Sequence, residues 1–250
     1  MMVETKIVPS QPALILEGKK RSLVVSDLHI GFESNLVTNK IFIGKNTTTQ
    51  ETINVIEDII DFVKADTLIL LGDVKSSIKS ITKSEWEDVP KFLKKINDKV
   101  DIILIPGNHD ANIQKLVPEG VSLISSVGAV IENVLLTHGH TMPTENFSHV
   151  DKIIMGHVHP VFFQEDSVLN GQRVWISIKT EKQNIFPSAS GELEIIVVPS
   201  FNKYFYATHK KHYKKSISPI LERIKTFSSA RIVTLDGTII GDESIINQIL

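Results

Sequence analysis

Cysteine is absent from this chain of 250 residues, and no run of apolar residues approaches the length of a membrane span. The lack of cysteine excludes disulfides, thiolate metal sites and a cysteine nucleophile. A membrane-spanning helix needs about 20 mainly apolar residues in succession, so none is predicted. Residues 1–10 also lack the basic start and the apolar core of a secretion signal. These absences fit a reducing compartment, and we expect a cytoplasmic protein without membrane contact.

An excess of either charge is also missing. The chain carries 27 lysine and arginine residues against 29 aspartate and glutamate residues, for a net charge of −2. No overall positive field therefore predicts nucleic acid or an acidic membrane as a partner. No glycine-rich phosphate loop follows a predicted strand, which argues against an ATPase or a dehydrogenase. The length predicts a single domain over residues 1–250, with residues 200–250 as its less regular part.

In the first half of the chain, short apolar runs alternate with segments whose apolar residues recur at helical spacing. The second half is predicted to consist mostly of strands. The predicted strands are Ala13–Leu16, Ser22–Ser26, Thr67–Leu71, Asp101–Ile105, Val130–Thr137, Lys152–Met155, Arg173–Ile178, Leu193–Val198 and Arg231–Leu235. Asp236-Gly237 after the last of these predicts a hairpin. This order predicts an α/β fold in which two sheets pack face to face with helices outside.

Two helices are predicted in the first half. One begins at Thr48, where Glu51 completes a capping box. Pro90 must lie in the first turn of the second helix or kink it, so Asp88 is a candidate N-cap for that helix. Residues 34–50 start beside the polar residues described next, and we expect them to form one wall of a cleft.

Polar side chains of the kind that bind metals follow the predicted strands, strand after strand. They are Asp27, His29, Asp73, Asn108, His109, His138, His157 and His159. Sites in α/β sheets are built beyond the carboxyl ends of the strands. Carboxylate, imidazole and amide ligands without sulfur suit divalent Mn, Fe, Zn or Ni. Two metals about 3.5–4 Å apart need a bridging carboxylate, and Asp73 is the candidate.

Taken singly, these motifs also have structural interpretations. An aspartate after a strand, such as Asp27, often makes a turn or caps a helix. Asp110 could orient His109 or cap a helix that starts near Ala111. His140 could replace His138 as a ligand or contact the substrate. The remaining histidines, which we expect at the surface, are His149, His209 and His212.

The ordered motifs D-x-H, G-D, G-N-H-D, H and G-H-x-H resemble those of the calcineurin-like metallophosphoesterases. They span Asp27 to His159. The resemblance implies a four-layer α/β/β/α sandwich of two mixed sheets with helices outside. It implies two divalent metal ions, Mn²⁺ first among the candidates, and His109 beside them as the catalytic residue. One ion would be held by Asp27, His29, Asp73 and His159, and the other by Asp73, Asn108, His138 and His157.

The chemistry implied by this resemblance is phosphate-ester hydrolysis. Two cations would lower the pKa of a bridging water, so that hydroxide attacks phosphorus in line with the leaving oxygen. His109 would stabilise the phosphoryl charge and protonate the leaving alkoxide. Segments 23–33, 218–221 and 235–238 are similar to small prokaryotic phosphoesterases related to the SbcD nuclease, including PdeM-like enzymes. That branch implies a phosphodiesterase. The alternatives are a phosphomonoesterase and a non-catalytic metal-binding scaffold.

One local cluster bears on nucleic acid as a partner. Aromatic residues and lysines are concentrated within 201–215. They are Phe201, Lys203, Tyr204, Phe205, Tyr206, Lys210, Lys211, Tyr213, Lys214 and Lys215. Aromatic rings for base stacking beside lysines for phosphate are typical of single-strand binding surfaces. The alternative is a solvated basic loop whose aromatic residues pack on the sheet or on a second subunit.

Overall fold

Two β-sheets form the centre of the structure, a computed structural model that describes residues 3–33, 47–164, 166–204 and 218–242. The strands are β1 (Glu4–Ile7), β2 (Leu14–Glu17), β3 (Arg21–Val25), β4 (Thr67–Leu71), β5 (Asp101–Ile105), β6 (Val121–Leu123), β7 (Ala129–Ile131), β8 (Val134–Thr137), β9 (Lys152–Met155), β10 (Val161–Phe162), β11 (Gln172–Glu181), β12 (Glu192–Val197), β13 (Ser229–Thr234) and β14 (Ile239–Gly241). The α-helices are α1 (Thr47–Val63), α2 (Lys83–Asn97) and α3 (Pro219–Arg223).

Both sheets are mixed. The first has the order β1-β2-β3-β4-β5-β6, in which β3 to β6 are parallel and β1 and β2 are antiparallel. The second has the order β14-β13-β11-β12-β9-β8-β7, with β10 paired to β11. Its strands β8, β9 and β12 run parallel. Each sheet therefore has parallel strands whose carboxyl ends lie at one edge.

The strands of the first sheet bury alternate residues in two different cores. Leu68 and Leu70 of β4 face α1 and α2, whereas Ile69 and Leu71 face the second sheet. The layer between the sheets also contains Trp175 of β11. The outer face of the second sheet is covered by α3 and by loop residues. The α/β fold of two mixed sheets, with helices outside, is confirmed.

The helix starts differ from those predicted. Helix α2 begins at Lys83, because Thr82 and Glu85 form a capping box there, and Pro90 lies inside the helix. The prediction of Asp88 as N-cap was therefore wrong. The structure also contradicts the capping box at Thr48, since α1 begins at Thr47 and the Thr48 Oγ1 atom has no hydrogen-bond partner in the described structure. The predicted strand Val130–Thr137 is a tight hairpin of β7 and β8.

The C-terminal hairpin prediction is confirmed, since β13 pairs with β14 around Asp236 and Gly237. Parts of other predictions, residues 34–46 of the expected cleft wall and residues 205–215 of the aromatic and lysine cluster, lie outside the described residues. Within the described ranges, no helix has the length and the apolar character needed to cross a membrane.

Candidate metal centre

The carboxyl ends of five strands bring the predicted ligands to one place. Asp27 follows β3, Asp73 follows β4 and Asn108 follows β5 in the first sheet, while His138 follows β8 and His157 follows β9 in the second. Hydrogen bonds join these loops directly. The Asp27 backbone N–H donates to the Gly72 carbonyl at 3.1 Å, and the His157 N–H donates to Asp27 Oδ2 at 3.1 Å. The site is thus built across both sheets.

One group of buried side chains combines two carboxylates and two imidazoles. It contains Asp27, His29, Asp73 and His159, whose ligand-type atoms lie within 4.8 Å of one another. His159 Nε2 lies 2.8 Å from Asp27 Oδ1 and 3.4 Å from His29 Nε2. His29 Nε2 lies 3.9 Å from Asp73 Oδ2. All four side chains point their donor atoms toward a common point.

A second group shares Asp73 with the first. Asp73, His138 and His157 also place ligand-type atoms within 4.8 Å of one another. His138 Nε2 lies 3.3 Å from Asp73 Oδ2 and 3.2 Å from the Asn108 amide oxygen. Asn108 therefore adds an oxygen donor beside this group. Asp73 is the residue common to both groups, in the position that the sequence predicts for a bridging carboxylate.

The donor atoms fit divalent cations. The imidazole Nε2 atoms of His29 and His159 lie 3.4 Å apart, close enough for both to be ligands of one cation. The carboxylates of Asp27 and Asp73 are also buried, and buried carboxylates are usually paired or bound to metal. Nitrogen and oxygen donors without sulfur match the metals named from the sequence.

Electrostatics keep both carboxylates charged. Burial alone would raise the pKa of Asp27, but the charge of His159 and its hydrogen bond lower that pKa to about 2. Burial acts on Asp73 in the same direction, and the charge of His138 outweighs it and holds the pKa of Asp73 far below its usual range. Conversely, burial would lower the pKa of His138, and the charge of Asp73 raises it to about 9. Opposite charges within the site thus stabilise one another.

The backbone is strained where the ligands lie. Five of them adopt left-handed φ angles: Asp27 at 59°, His29 at 46°, Asp73 at 51°, His157 at 71° and His159 at 49°. Such conformations cost non-glycine residues free energy and persist where the surroundings enforce them, often at functional sites. Half of the ten non-glycine residues with positive φ in the described part of the chain are thus candidate ligands.

Glycines next to the ligands allow the loops to approach one another. A Cβ atom on Gly72, which has a φ of +77°, would lie 2.6 Å from both the Gly107 nitrogen and His138 Nδ1. A Cβ atom on Gly156 would lie 1.7 Å from Ser26 Oγ. These glycines were visible in the sequence beside the ligands, and the structure gives the physical reason for them.

His109 lies at the open side of the centre. Its side chain is 17% exposed, whereas those of His29 and His138 are fully buried. Its backbone N–H donates to Asp73 Oδ1 at 2.8 Å. Its ring Nδ1 donates to the Ser76 carbonyl, and its Nε2 lies 3.9 Å from Asp73 Oδ2. The ring is therefore held with Nε2 toward the metal centre.

Asp110 takes neither of the roles considered for it. Its buried carboxylate accepts backbone N–H bonds from Gly107 at 2.9 Å, Lys75 at 3.1 Å and Val74 at 3.3 Å. It thereby joins the loop after β4 to the loop after β5. Burial, followed by the charge of Asp73, raises the pKa of Asp110 to about 6. No helix begins at Ala111 in this described part of the chain, where a short 3₁₀ turn follows at Ile113.

The remaining histidines lie in different surroundings. The His140 ring centroid is 5.2 Å from that of His138 and 6.1 Å from that of His157, so His140 lies beside the second group but outside its cluster of donor atoms. Burial, with the charge of His138, lowers the pKa of His140 to about 4. His149 is exposed, as expected. The other two, His209 and His212, lie outside the described residues.

Sequence patterns missed the segment that supports the first metal-ligand loop. Ser200 Oγ donates to the Asp27 carbonyl at 3.1 Å, and the Phe201 N–H donates to the Ser26 carbonyl at 2.8 Å. Asn202 donates from its side chain to the Leu28 carbonyl at 3.0 Å. These bonds fix the backbone on both sides of Asp27. Their acceptors are main-chain carbonyls more than 170 residues away, which leave no sequence signature.

Known proteins resemble this chain in fold and in sequence. The crystal structure of the Pseudomonas putida nuclease MPE superposes with a TM-score of 0.52 at 17% sequence identity, covering 93% of this chain and 98% of that one. The E. coli phosphoesterase Yfce gives a TM-score of 0.42 at 17% identity, covering 90% of this chain and 98% of that one. No curated protein matches the sequence. The family model of the calcineurin-like phosphoesterases matches residues 20–161, more than half of the chain. The chain belongs to the calcineurin-like phosphoesterase family.

Proposed function

We propose that this protein hydrolyses phosphodiesters with a pair of divalent metal ions. The observation that carries the proposal is the sharing of Asp73 by two buried groups of metal-ligand type. One ion would be held by Asp27, His29, Asp73 and His159, and the other by Asp73, Asn108, His138 and His157. Bound there, divalent ions supply Lewis-acid chemistry, which activates water and offsets charge on the phosphoryl oxygens.

The chain itself fixes the orientation of these ligands. His138 Nδ1 donates to the Leu71 carbonyl at 2.7 Å, which leaves Nε2 to face Asp73 and Asn108. Ser26 Oγ donates to Asp27 Oδ2 at 2.6 Å and so directs the other oxygen, Oδ1, toward His159. Such contacts from neighbouring groups set the tautomer and the direction of metal ligands. The site is thus preorganised by the protein.

We assign His109 as the residue that exchanges a proton with the reacting ester. Because Nδ1 donates to the Ser76 carbonyl, the proton that moves must be on Nε2. Nε2 lies 3.9 Å from Asp73 Oδ2, beside the atoms that would hold the metal ions. An Nε2–H group there donates to the phosphoryl oxygens or to the leaving alkoxide, a contribution of about 10²–10⁴-fold to the rate.

One observation bears on the substrate and another on the identity of the metal. One solved structure with this fold is described as a nuclease, and nuclease action is phosphodiester hydrolysis. That likeness supports diesters, with nucleic acid or nucleotides among the candidate substrates. Carboxylate, amide and imidazole donors are compatible with Mn²⁺ and also with Fe, Zn and Ni.

The test compares bis-p-nitrophenyl phosphate with p-nitrophenyl phosphate, using chelator-treated protein with and without added Mn²⁺, Zn²⁺ or Ni²⁺. We expect metal-dependent turnover of the diester, strongly reduced in Asp73→Asn because both groups lose a charged ligand. His109→Gln should keep the metal content measured by elemental analysis while kcat falls about 10²–10⁴-fold. His149→Gln, an exposed histidine, is the matched control.

Each alternative predicts a different result. Turnover of the monoester alone would favour a phosphomonoesterase. Binding of metal by folded protein without turnover of either ester would favour the non-catalytic scaffold. Full activity in Asp73→Asn would contradict the shared metal centre itself.

A further inference from the structure

A cavity of about 200 Å³ opens beside the metal centre, and the chemistry proposed above does not use it. His29 forms part of its wall, so the cavity adjoins the first group of ligands. The opposite walls come from α1, through Thr52 and Val55, and from the segment that holds Phe201 and Tyr204. The same segment donates hydrogen bonds to the Asp27 loop, and these bonds connect the wall of the cavity to the metal centre.

The charges of the described residues around the cavity balance. Two basic side chains line it: Lys203 pairs with Glu51, and Arg173 donates to the Ser200 and Phe201 carbonyls at 2.8 and 3.0 Å. The carboxyl groups of Glu33 and Glu51 also line it. Among the residues that the structure describes, the lysine, arginine and glutamate side chains of the lining therefore give no excess of positive charge for a phosphate. The cavity suits an uncharged part of a substrate.

The rest of the lining combines apolar surface with hydrogen-bonding groups. Leu28, Val55 and Phe201 supply apolar contact, and the Tyr204 ring is held in place by its hydroxyl, which donates to Glu51. Thr48 and Thr52 are polar residues of the lining. Apolar walls with a few polar groups are typical of sites that orient a small molecule. A flat group with polar edges fits this lining.

We propose that this cavity binds the nucleoside of a nucleotide ester whose phosphate lies at the metal centre. The inference rests on the proposed function and names its substrate class. The cavity volume of about 200 Å³ is below the roughly 300–1,000 Å³ of pockets for drug-sized ligands, which limits the occupant to a single nucleoside. Selectivity then comes from one nucleoside next to the cleaved phosphate, and longer chains extend away from the cavity.

The test uses two esters that release the same p-nitrophenol. One is the p-nitrophenyl ester of thymidine 5′-monophosphate, and the other is methyl p-nitrophenyl phosphate, which lacks a nucleoside. Val55→Phe fills the cavity from α1. Asn54→Phe adds the same side chain at the neighbouring, exposed position of that helix and is the control. Binding of thymidine 5′-monophosphate by calorimetry is measured in parallel for all three proteins.

We expect kcat/KM of the wild type to favour the nucleotide ester at least tenfold. Val55→Phe should abolish that preference and weaken thymidine 5′-monophosphate binding at least tenfold, with methyl ester turnover within about twofold of wild type. Asn54→Phe should resemble the wild type. Equal turnover of both esters by the wild type, or an unchanged preference in Val55→Phe, would overturn the subsite. If neither ester is hydrolysed, the proposed function fails, and the binding comparison alone decides whether the cavity holds a nucleoside.

Discussion

Asp110 joins two loops of the metal centre through a single buried carboxylate. Its oxygens accept three backbone N–H groups, from Val74, Lys75 and Gly107. An asparagine could offer only one oxygen to these donors and would place its amide N–H₂ against the others. Leaving a buried donor unpaired costs about 1–3 kcal/mol. Asp110 is therefore a structural residue next to the ligands, and its contribution to stability depends on pH.

The pH dependence of Asp110→Asn follows from its pKa. Because the pKa is raised to about 6 in the folded protein, the folded state binds more protons than the unfolded state between about pH 4 and 6. Because burial disfavours the charged form, the proton that Asp110 binds stabilises the folded state. This contribution of the bound proton is complete below about pH 4 and is lost as the pH rises through 6. Two pKa units correspond to about 3 kcal/mol at most. Urea unfolding of chelator-treated wild type and Asp110→Asn should give a stability difference that narrows from pH 4.5 to 7. A constant difference would contradict the assignment.

The grouping of the candidate ligands was predictable because it depends on residue type, and contacts that depend on main-chain atoms were not. The sequence placed Asp73 and His138 in one site because carboxylates and imidazoles recur after successive strands. The partner of His109 is the Ser76 carbonyl, which any residue could supply. The contacts of Ser200 and Asn202 to the Asp27 loop are of the same kind. Such contacts become visible only when the fold brings distant segments together.

At the scale of elements, the start of α2 is connected to His109. The buried Glu85 carboxylate accepts the Thr82 N–H at 2.7 Å as part of the capping box. It also accepts the Ser76 N–H at 2.9 Å and the Ser77 N–H at 2.7 Å. Since the Ser76 carbonyl accepts from His109 Nδ1, one side chain at the helix start supports the loop that orients the imidazole.

Replacing Glu85 by alanine should therefore affect stability and catalysis together. Three N–H donors, one buried and two partly buried, lose their acceptor, and we expect a loss of about 2–4 kcal/mol in the free energy of unfolding. We also expect kcat to fall more than KM rises, because His109 is less well oriented. Glu87→Ala on the same helix is exposed and should change the stability by less than about 0.5 kcal/mol. Chemical denaturation and steady-state kinetics check both effects. A loss of stability with unchanged kcat would contradict a role of α2 in orienting His109.

The positions of the elements were easier to predict than their ends. The apolar spacing of Ile53, Ile56, Ile60 and Val63 predicts the buried face of α1, and all four belong to the core under that helix. Trp86 matched the apolar spacing of α2 but is 49% exposed. That helix starts earlier than predicted because the Thr82 cap outweighs the local effect of Pro90. Capping side chains thus decide a helix start that hydrophobic periodicity leaves open.

At the scale of the whole molecule, the metal centre and the central core both join the two sheets. Leu71 and Val24 of the first sheet share a core with Leu136 and Ile154 of the second. The first sheet supplies Asp73 to the centre, and the second supplies histidines. We therefore propose that the chain unfolds as one domain, in keeping with the single domain predicted from its length.

Metal removal should lower the stability of the whole molecule in one cooperative transition. A ligand that binds only the folded state stabilises it by about 4 kcal/mol at 1,000 times its Kd, or roughly 8–16 °C in Tm for a chain of this size. Ligands must be deprotonated to bind metal. His138, with a pKa of about 9 before metal binds, must release a proton, so the gain in Tm should shrink as the pH falls from 8 to 6. Calorimetric scans with chelator and with Mn²⁺ measure both effects.

His138→Ala should remove much of this gain in Tm, because it deletes a ligand of the second group, whereas the exposed His149→Ala should retain it. The Mn²⁺-dependent shift should then lose most of its dependence on pH, since the proton that must leave belongs to His138. Two separate transitions in the chelator-treated protein would contradict the single domain, because a core shared by both sheets cannot melt in halves. A Tm gain that is the same in His138→Ala as in wild type would show instead that Mn²⁺ stabilises the fold from another place.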